Sequence, residues 1–281
     1  MKEVDEALSR AYSQRTQANS STGVPPSPHW TSRKPGDSDR APAARQDSSE
    51  RGGRGRATEP LGLPAPGLGH GSGIEIQWPD VVEELERAWG DRFESLADRL
   101  LEVRARRNLK VILFTSCHRA EGRTTLVLTL ARVLARRPLK TLLVDADLSG
   151  PMLARSLGVR PLVGLDDVVE DGQALNEALI ESPDERLWLL PMRSAVSRPR
   201  EFLSSAAWSC AMARLRREFD LVLIDGSPLF TGLSAAVLHN SVDAAVLVHN
   251  SATTGQRAIL RAQEVLEAGG VPLLGLAETF V

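Results

Sequence analysis

The sequence predicts an α/β fold, a mostly parallel sheet with helices on both faces, preceded by a disordered N-terminal segment. Three observations predict it. From residue 110 onward, short apolar runs alternate with helical stretches, a pattern that implies right-handed crossovers between parallel strands. One of those runs passes straight into a tight loop and then a helix, over residues 111–134. Composition also breaks near residue 73: the first 73 residues hold 8 of the 17 prolines and 10 of the 22 glycines.

The proline- and glycine-rich segment has few large apolar residues after Tyr12 and cannot bury enough surface to offset its ordering entropy. Residues 1–15 carry a short helical pattern (Val4, Leu8, Ala11, Tyr12), residues 16–73 are expected to be a disordered linker, and residues 74–281 are expected to form one domain. Within that domain, 74–107 form a helical lead-in and 108–281 the core. The lead-in begins at Trp78-Pro79-Asp80, with Pro79 suited to a first helical position. Val81, Val82, Leu85, Trp89, Phe93, Leu96 and Leu100 then recur at helical steps, which places one apolar face on the core; Gly90 is a candidate break. Strands are expected near 110–116, 140–145, 187–191, 220–225, 243–248 and 273–278. Helices are expected near 123–137, 151–157, 173–180, 200–217, 231–239 and 255–269.

Bulk properties exclude several classes. A formal net charge of −2 gives no basis for nucleic-acid binding, and the tail arginines are interleaved with acids as in a solvated linker. No apolar run reaches the roughly 20 residues of a membrane span, so no direct membrane insertion is expected. Two cysteines, Cys117 and Cys210, suit a reducing, cytoplasmic setting. Cys117 reads as a small residue tolerated at a backbone turn rather than as a reactive thiol.

The chemistry concentrates in residues 111–125, VILFTSCHRAEGRTT. Strand, loop and helix N-terminus together make a phosphate-binding arrangement, in which backbone N–H groups converge on an anion and the helix dipole adds positive charge. Thr124 places a hydroxyl straight after the basic residue, where a Mg²⁺ ligand is needed. The pattern G-x-x-x-x-G-K-[ST] is broken twice: Cys117 stands at the first glycine and Arg123 at the lysine. Arginine keeps the charge but is larger and planar, so retained phosphate binding with weakened turnover is expected. Two further apolar runs end in carboxylates, Asp145 and Asp147 after the first, Asp225 after the second. Acidic groups at the C-terminal edge of a parallel sheet hold Mg²⁺ and orient an attacking group; alternatively, such aspartates cap the next helix or turn.

Taken together, these segments resemble the deviant-Walker P-loop ATPases of the ParA/MinD class, and more closely the bacterial tyrosine kinase (CpsD/CapB-like) branch associated with exopolysaccharide. The loop T-S-x-x-P-G-E-G-K-[ST]-T of that branch aligns without a gap on Thr115 to Thr125, and V-D-A-D-x-R-x-P on Val144 to Pro151. Gly164 to Val168, Pro199 to Leu203, Phe219 to Pro228 and the opening Met1 to Ala11 are similar to further family segments. The resemblance implies that Arg119, Ala120, Glu121, Gly122, Arg123, Thr124 and Thr125 bind ATP. It implies that Thr124, Asp145, Asp147 and Asp225 organise Mg²⁺, and that Arg123, Asp145, Asp147 and Asp225 are catalytic. It also implies a membrane polysaccharide chain-length or co-polymerase partner in trans, recruitment to the inner face of the membrane by that partner, and a homo-oligomer.

The chain departs from the family in several places. Its one tyrosine is Tyr12, so a C-terminal tyrosine cluster is not expected. In the ring-forming signature E-x-x-R-x-x-R, Glu94 is present but Ala97 and Leu100 replace the arginines. Thr279 stands where related ATPases place an adenine-contacting asparagine, and Ser149 and Ser234 where an Arg and an Asp are frequent. Three functions follow as expectations. The first is an ATPase or tyrosine-kinase-like phosphotransferase with a degenerate loop. The second is a nucleotide-sensing regulator (a pseudokinase) of the membrane partner. The third is a positioning ATPase, which the absence of a lysine at His118 disfavours. His118 and Arg119 either add charge toward a phosphate or stand exposed on a polar loop.

Overall fold

The computed structural model describes residues 76–182, 186–231 and 241–279. The helix expected over 1–15, the linker 16–73, Ser234 and, apart from Thr231, the helix expected over 231–239 lie outside the described residues. In chain order the elements are α1 (Asp80–Arg107), β1 (Val111–Ser116), α2 (Arg123–Ala135), β2 (Thr141–Ala146), α3 (Leu153–Ser156), α4 (Leu165–Glu170) and α5 (Leu175–Ala178). They continue with β3 (Ile180–Glu181), β4 (Leu187–Leu190), α6 (Pro199–Ser204), α7 (Ala206–Glu218), β5 (Leu221–Gly226), β6 (Ala244–Asn250), α8 (Gln256–Ala268) and β7 (Leu273–Thr279).

The strands form one sheet in the order β3-β4-β2-β5-β1-β6-β7, parallel throughout except for β3. Alternate residues of each strand feed opposite faces. Val222 and Ile224 pack with α4, α5, α6, α7 and α8 through Leu165, Leu175, Phe202, Trp208 and Leu266. Leu221 and Leu223 pack on the other face with α1, α2 and α3 through Phe93, Leu130 and Leu153. Burial on both faces is why these strands read as unbroken apolar runs rather than as alternating ones.

All six expected strands are present. The differences lie at their margins. Residues 173–180 do not form one helix: α5 stops at Ala178, and Ile180–Glu181 pairs antiparallel with Leu189 and Trp188 as an edge strand. The helix expected over 200–217 is two, because Ser205 is extended (φ −70°, ψ 152°) and its hydroxyl caps α7 by accepting from Trp208 N–H. Helix α4 was not expected as a helix; it is started by the Asp167 carboxylate accepting from Gly164 N–H at 2.7 Å.

The lead-in is a 28-residue helix broken in conformation at Trp89 (φ −135°, ψ 19°), one residue before the candidate break. Val81 and Trp89 are exposed while Val82, Phe93, Ala97 and Leu100 are buried. Ala97 and Leu100, where the family signature has arginines, are therefore core residues. Glu94 pairs within the chain, with Arg137 just beyond the end of α2. Among the described residues no helix is long and apolar enough to cross a membrane.

Candidate functional site

The sheet order decides where the site forms. β1 lies between β5 and β6, so the loop leaving β1 emerges beside the end of β5, with Phe114 level with Asp225. β2 flanks β5 on its far side, with Asp145 level with Asp225. Residues 116–125, Asp145, Asp147 and Asp225 thus meet at the C-terminal edge of the central strands. Gly226 permits the crowding there, since a Cβ on it would lie 2.5 Å from the Leu113 side chain and 3.2 Å from the Phe114 carbonyl oxygen.

The loop turns by way of two left-handed residues, Ala120 (φ 60°) and Gly122 (φ 75°). Glycine adopts that conformation at no steric cost, whereas alanine is strained in it by about 1–2 kcal/mol. Gly122 is the N-cap of α2, offers no side-chain cap, and no acid stands in the first turn. The first amides of a 13-residue helix therefore have no side-chain cap, at the positive end of the helix dipole.

Glu121 faces inward. It is 3% exposed; its carboxylate accepts from His118 N–H at 2.8 Å and from the Thr254 hydroxyl. Its carbonyl oxygen accepts from Thr279 Oγ1 at 2.7 Å. Thr254, which was not anticipated, and Thr279, which replaces the asparagine of related ATPases, therefore tie the segment after β6 and the end of β7 to the loop. Burial, then the Glu121 charge, pushes the Cys117 thiol up to about 12, so it remains protonated and unreactive. His118 is exposed and packs edge-on against Phe230 at 5.4 Å. Arg119 reaches over the rim, with Nη2 donating to Ser149 Oγ at 2.7 Å and lying 3.6 Å from Asp147.

Arg123 is buried. Its Nε donates to Asp225 Oδ1 at 2.7 Å, Nη2 to Asp147 Oδ2 at 3.0 Å and Nη1 to Ser116 Oγ at 3.0 Å. The Thr124 hydroxyl donates to the other Asp225 oxygen at 2.7 Å. Burial works against the Arg123 cation, but the attraction of Asp225 and then Asp147 prevails, holding its pKa above the ordinary value. Burial likewise pushes the Asp225 carboxyl up, opposed by Arg123 and Thr124.

Asp145 is arranged as a cap. Its Oδ2 accepts from Met152 and Leu153 N–H at 3.0 and 2.9 Å, and its Oδ1 from Asp147 N–H at 3.1 Å. Burial, then the charge of Asp225, raises it to about 7. Asp147 Oδ1 accepts from Ser149 and Ser227 hydroxyls at 3.2 and 3.1 Å. Ser227, also unanticipated from the sequence, further accepts from Leu148 N–H through its hydroxyl and from the Thr115 hydroxyl through its carbonyl. Each carboxylate oxygen of Asp145, Asp147 and Asp225 is therefore already engaged. Among the described residues no three of His, Cys, Asp and Glu form a group that could hold a metal ion. These carboxylates, with the Thr124 hydroxyl, are the groups expected to organise Mg²⁺; both Asp225 oxygens, Asp147 Oδ2 and Asp145 Oδ1 each retain a second lone pair beyond the present hydrogen bond.

No protein-family model matches the chain. Tyrosine-protein kinase YwqD of Bacillus subtilis is 31% identical over 170 residues, covering 60% of this chain and 71% of YwqD. Tyrosine-protein kinase CpsD of Streptococcus pneumoniae serotype 4 is 30% identical over 172 residues, covering 60% of this chain and 74% of CpsD. The chain belongs to the CpsD/YwqD family of bacterial tyrosine-protein kinases. A solved relative, the VpsO kinase domain, is 27% identical with a TM-score of 0.63, covering 71% of this chain and 98% of that one. As a CpsD/YwqD-family member the chain has the P-loop α/β fold.

Proposed function

We propose that the chain binds ATP at residues 119–125 and works as a tyrosine-kinase-like phosphotransferase or ATPase of capsule and exopolysaccharide assembly. Residues 74–281 are its functional unit. A membrane polysaccharide chain-length or co-polymerase protein is the partner in trans. Family membership supports the assignment to polysaccharide assembly and the partner. The observation that carries nucleotide binding is the loop itself, with left-handed Ala120 and Gly122 turning the chain into an uncapped helix N-terminus beneath Arg119.

In this reading the amides of the loop and of the first turn of α2 receive the phosphates, as anions are received at helix N-termini generally. Arg119 is the exposed cation at the rim. Glu121 holds the loop shape from inside, through Thr254 and His118. Asp225 orients both Arg123 and Thr124, Asp147 shares the guanidinium, and Asp145 anchors the start of α3. Preorganised groups of this kind stabilise a transferring phosphoryl by position and charge.

A second reading, a nucleotide-sensing regulator with little turnover, is favoured by one feature: the Arg123 guanidinium is committed to two carboxylates. Calorimetric titration with ATP and ADP, with phosphate release followed on the same sample, separates the two. Binding with turnover supports the enzyme, and binding without turnover supports the regulator. No binding of either nucleotide sinks both.

A further inference from the structure

We propose that Arg160, Arg193, Arg198 and Arg200, on the sheet edge that carries the phosphate loop, dock an acidic peptide, and that the phosphoryl acceptor is a tyrosine within that peptide. This rests on the phosphotransferase reading above and goes beyond it by naming the chemical class of the acceptor.

Residues 148–165 and 191–200 hold five arginines, no lysine and no acid, in a chain whose formal net charge is −2. Both segments leave the C-terminal ends of strands, the first after β2 and the second after β4. The first crosses the sheet edge from one face to the other, since Val159 packs in the layer of α1 and α2 and Val163 against that of α4 to α8. Arg160 and Leu162 stand on this crossing, with Leu162 91% exposed.

The second segment is pinned from below. The buried Asp166 carboxylate accepts from Arg193 N–H at 2.9 Å and from the Ser194 N–H and hydroxyl at 3.0 and 2.8 Å. Val196 N–H donates to the Leu148 carbonyl at 2.8 Å, and the next residue, Ser149, takes the Arg119 guanidinium at 2.7 Å. The arginine segment and the phosphate loop therefore flank the same turn.

Arg193, Arg198 and Arg200 are exposed. Arg193 pairs with Asp167 at 3.2 Å and Arg198 with the exposed Glu201 at 3.1 Å. Among the described residues Arg160 and Arg200 form no ion pair. Charges of one sign on a fixed backbone attract an acidic segment at little cost in ordering. Leu162 is a single apolar contact among them, far short of the apolar face by which a protein enters a bilayer, which favours a peptide over a lipid surface. In the order β4-β2-β5-β1, β4 stands about 14 Å from β1 at the usual strand spacing. An extended peptide covers that in about four or five residues, which sets the distance from the tyrosine to its acidic flank.

The test follows two labelled peptides by fluorescence anisotropy with the full chain saturated with ADP. Each has one central tyrosine; one carries glutamates from about the fourth residue outward on both sides, the other lysines at the same positions. The acidic peptide is expected to bind at least tenfold more tightly than the lysine peptide. R160E/R200E is expected to weaken it about tenfold and to leave the calorimetric ADP affinity unchanged. Equal binding of the two peptides, or unchanged peptide affinity in the variant, overturns the inference and leaves nucleotide binding standing. No ADP binding by the wild type overturns both. Co-sedimentation with vesicles of phosphatidylcholine and phosphatidylglycerol, without binding of the acidic peptide, assigns the arginines to a lipid surface and overturns the inference. With ATP in place of ADP, the acidic peptide is expected to be phosphorylated on tyrosine at least tenfold faster than the lysine peptide; binding without phosphorylation overturns the acceptor assignment. Should R160E/R200E not fold, the two wild-type titrations still decide the inference.

Discussion

Arg123 and Asp225 form an ion pair inside the protein, Nε to Oδ1 at 2.7 Å, with 8% and 3% of the two side chains exposed. The pair joins the first residue of α2 to the end of β5, and Thr124 donates to the same carboxylate from the next position. Removing the acid leaves a buried cation with Asp147 as its one remaining carboxylate partner. Asp225→Asn is therefore expected to lower the unfolding free energy in urea by about 3 kcal/mol. A loss below about 1 kcal/mol would show that the pair does not hold the loop to the sheet.

Ala120 carries the strain of the loop at φ 60°. Ala120→Gly relieves it, partly offset by the greater freedom of glycine in the unfolded chain. The net expectation is a gain of about 1 kcal/mol in a urea melt, and a loss would mean that the alanine makes contacts worth more than the strain.

Asp145 makes stability depend on pH in a direction opposite to that of a salt-bridged acid. Its carboxyl is raised from 3.8 to about 7, first by burial and then by the Asp225 charge. Between those values the native state keeps a proton that the unfolded chain has released, so this group's contribution to stability falls as pH rises across that interval. Urea melts of the wild type and Asp145→Asn over that range are expected to diverge in slope, the variant declining less. Parallel slopes would place the titration elsewhere.

The Thr254 hydroxyl is one of two donors to the buried Glu121 carboxylate. Thr254→Val leaves an acceptor oxygen without its donor, which costs about 1–3 kcal/mol, and ADP affinity falls as the loop loosens. Thr254→Ser keeps the hydroxyl and is expected to behave as the wild type. Equal loss in both variants would assign the effect to the methyl group instead.

Arg119 is half exposed, and its contacts are with Ser149 and, at 3.6 Å, Asp147. Arg119→Ala is expected to leave stability within about 1 kcal/mol and to weaken ADP binding about tenfold, the loss of one charge-assisted contact. Unchanged affinity in calorimetry would remove Arg119 from the phosphate site.

Much of the fold was legible because its strands are buried on both faces: runs such as Val111–Phe114 and Leu221–Ile224 have no polar face to disguise them. The elements that were missed are short or locally ambiguous. Ile180–Glu181 is a strand only because Leu189 and Trp188 lie beside it, and Ser205 ends one helix and caps another through a single hydroxyl.

By itself the sequence determined the strand-loop-helix unit at 111–135, the carboxylates that end the two neighbouring strands, and the edge of the sheet on which they fall. These follow from local periodicity and from parallel connections. Only the tertiary structure decided what those residues touch. Placing β5 between β1 and β2 brings Asp225 and Asp147 to Arg123, and β6 and β7 bring Thr254 and Thr279 to Glu121. The basic residue of the loop becomes a buried bridge between carboxylates, and the acid of the loop turns inward. The reason is physical: a side chain's direction is set by the partners that desolvation forces it to find, and those partners lie some 20 to 160 residues away in the chain.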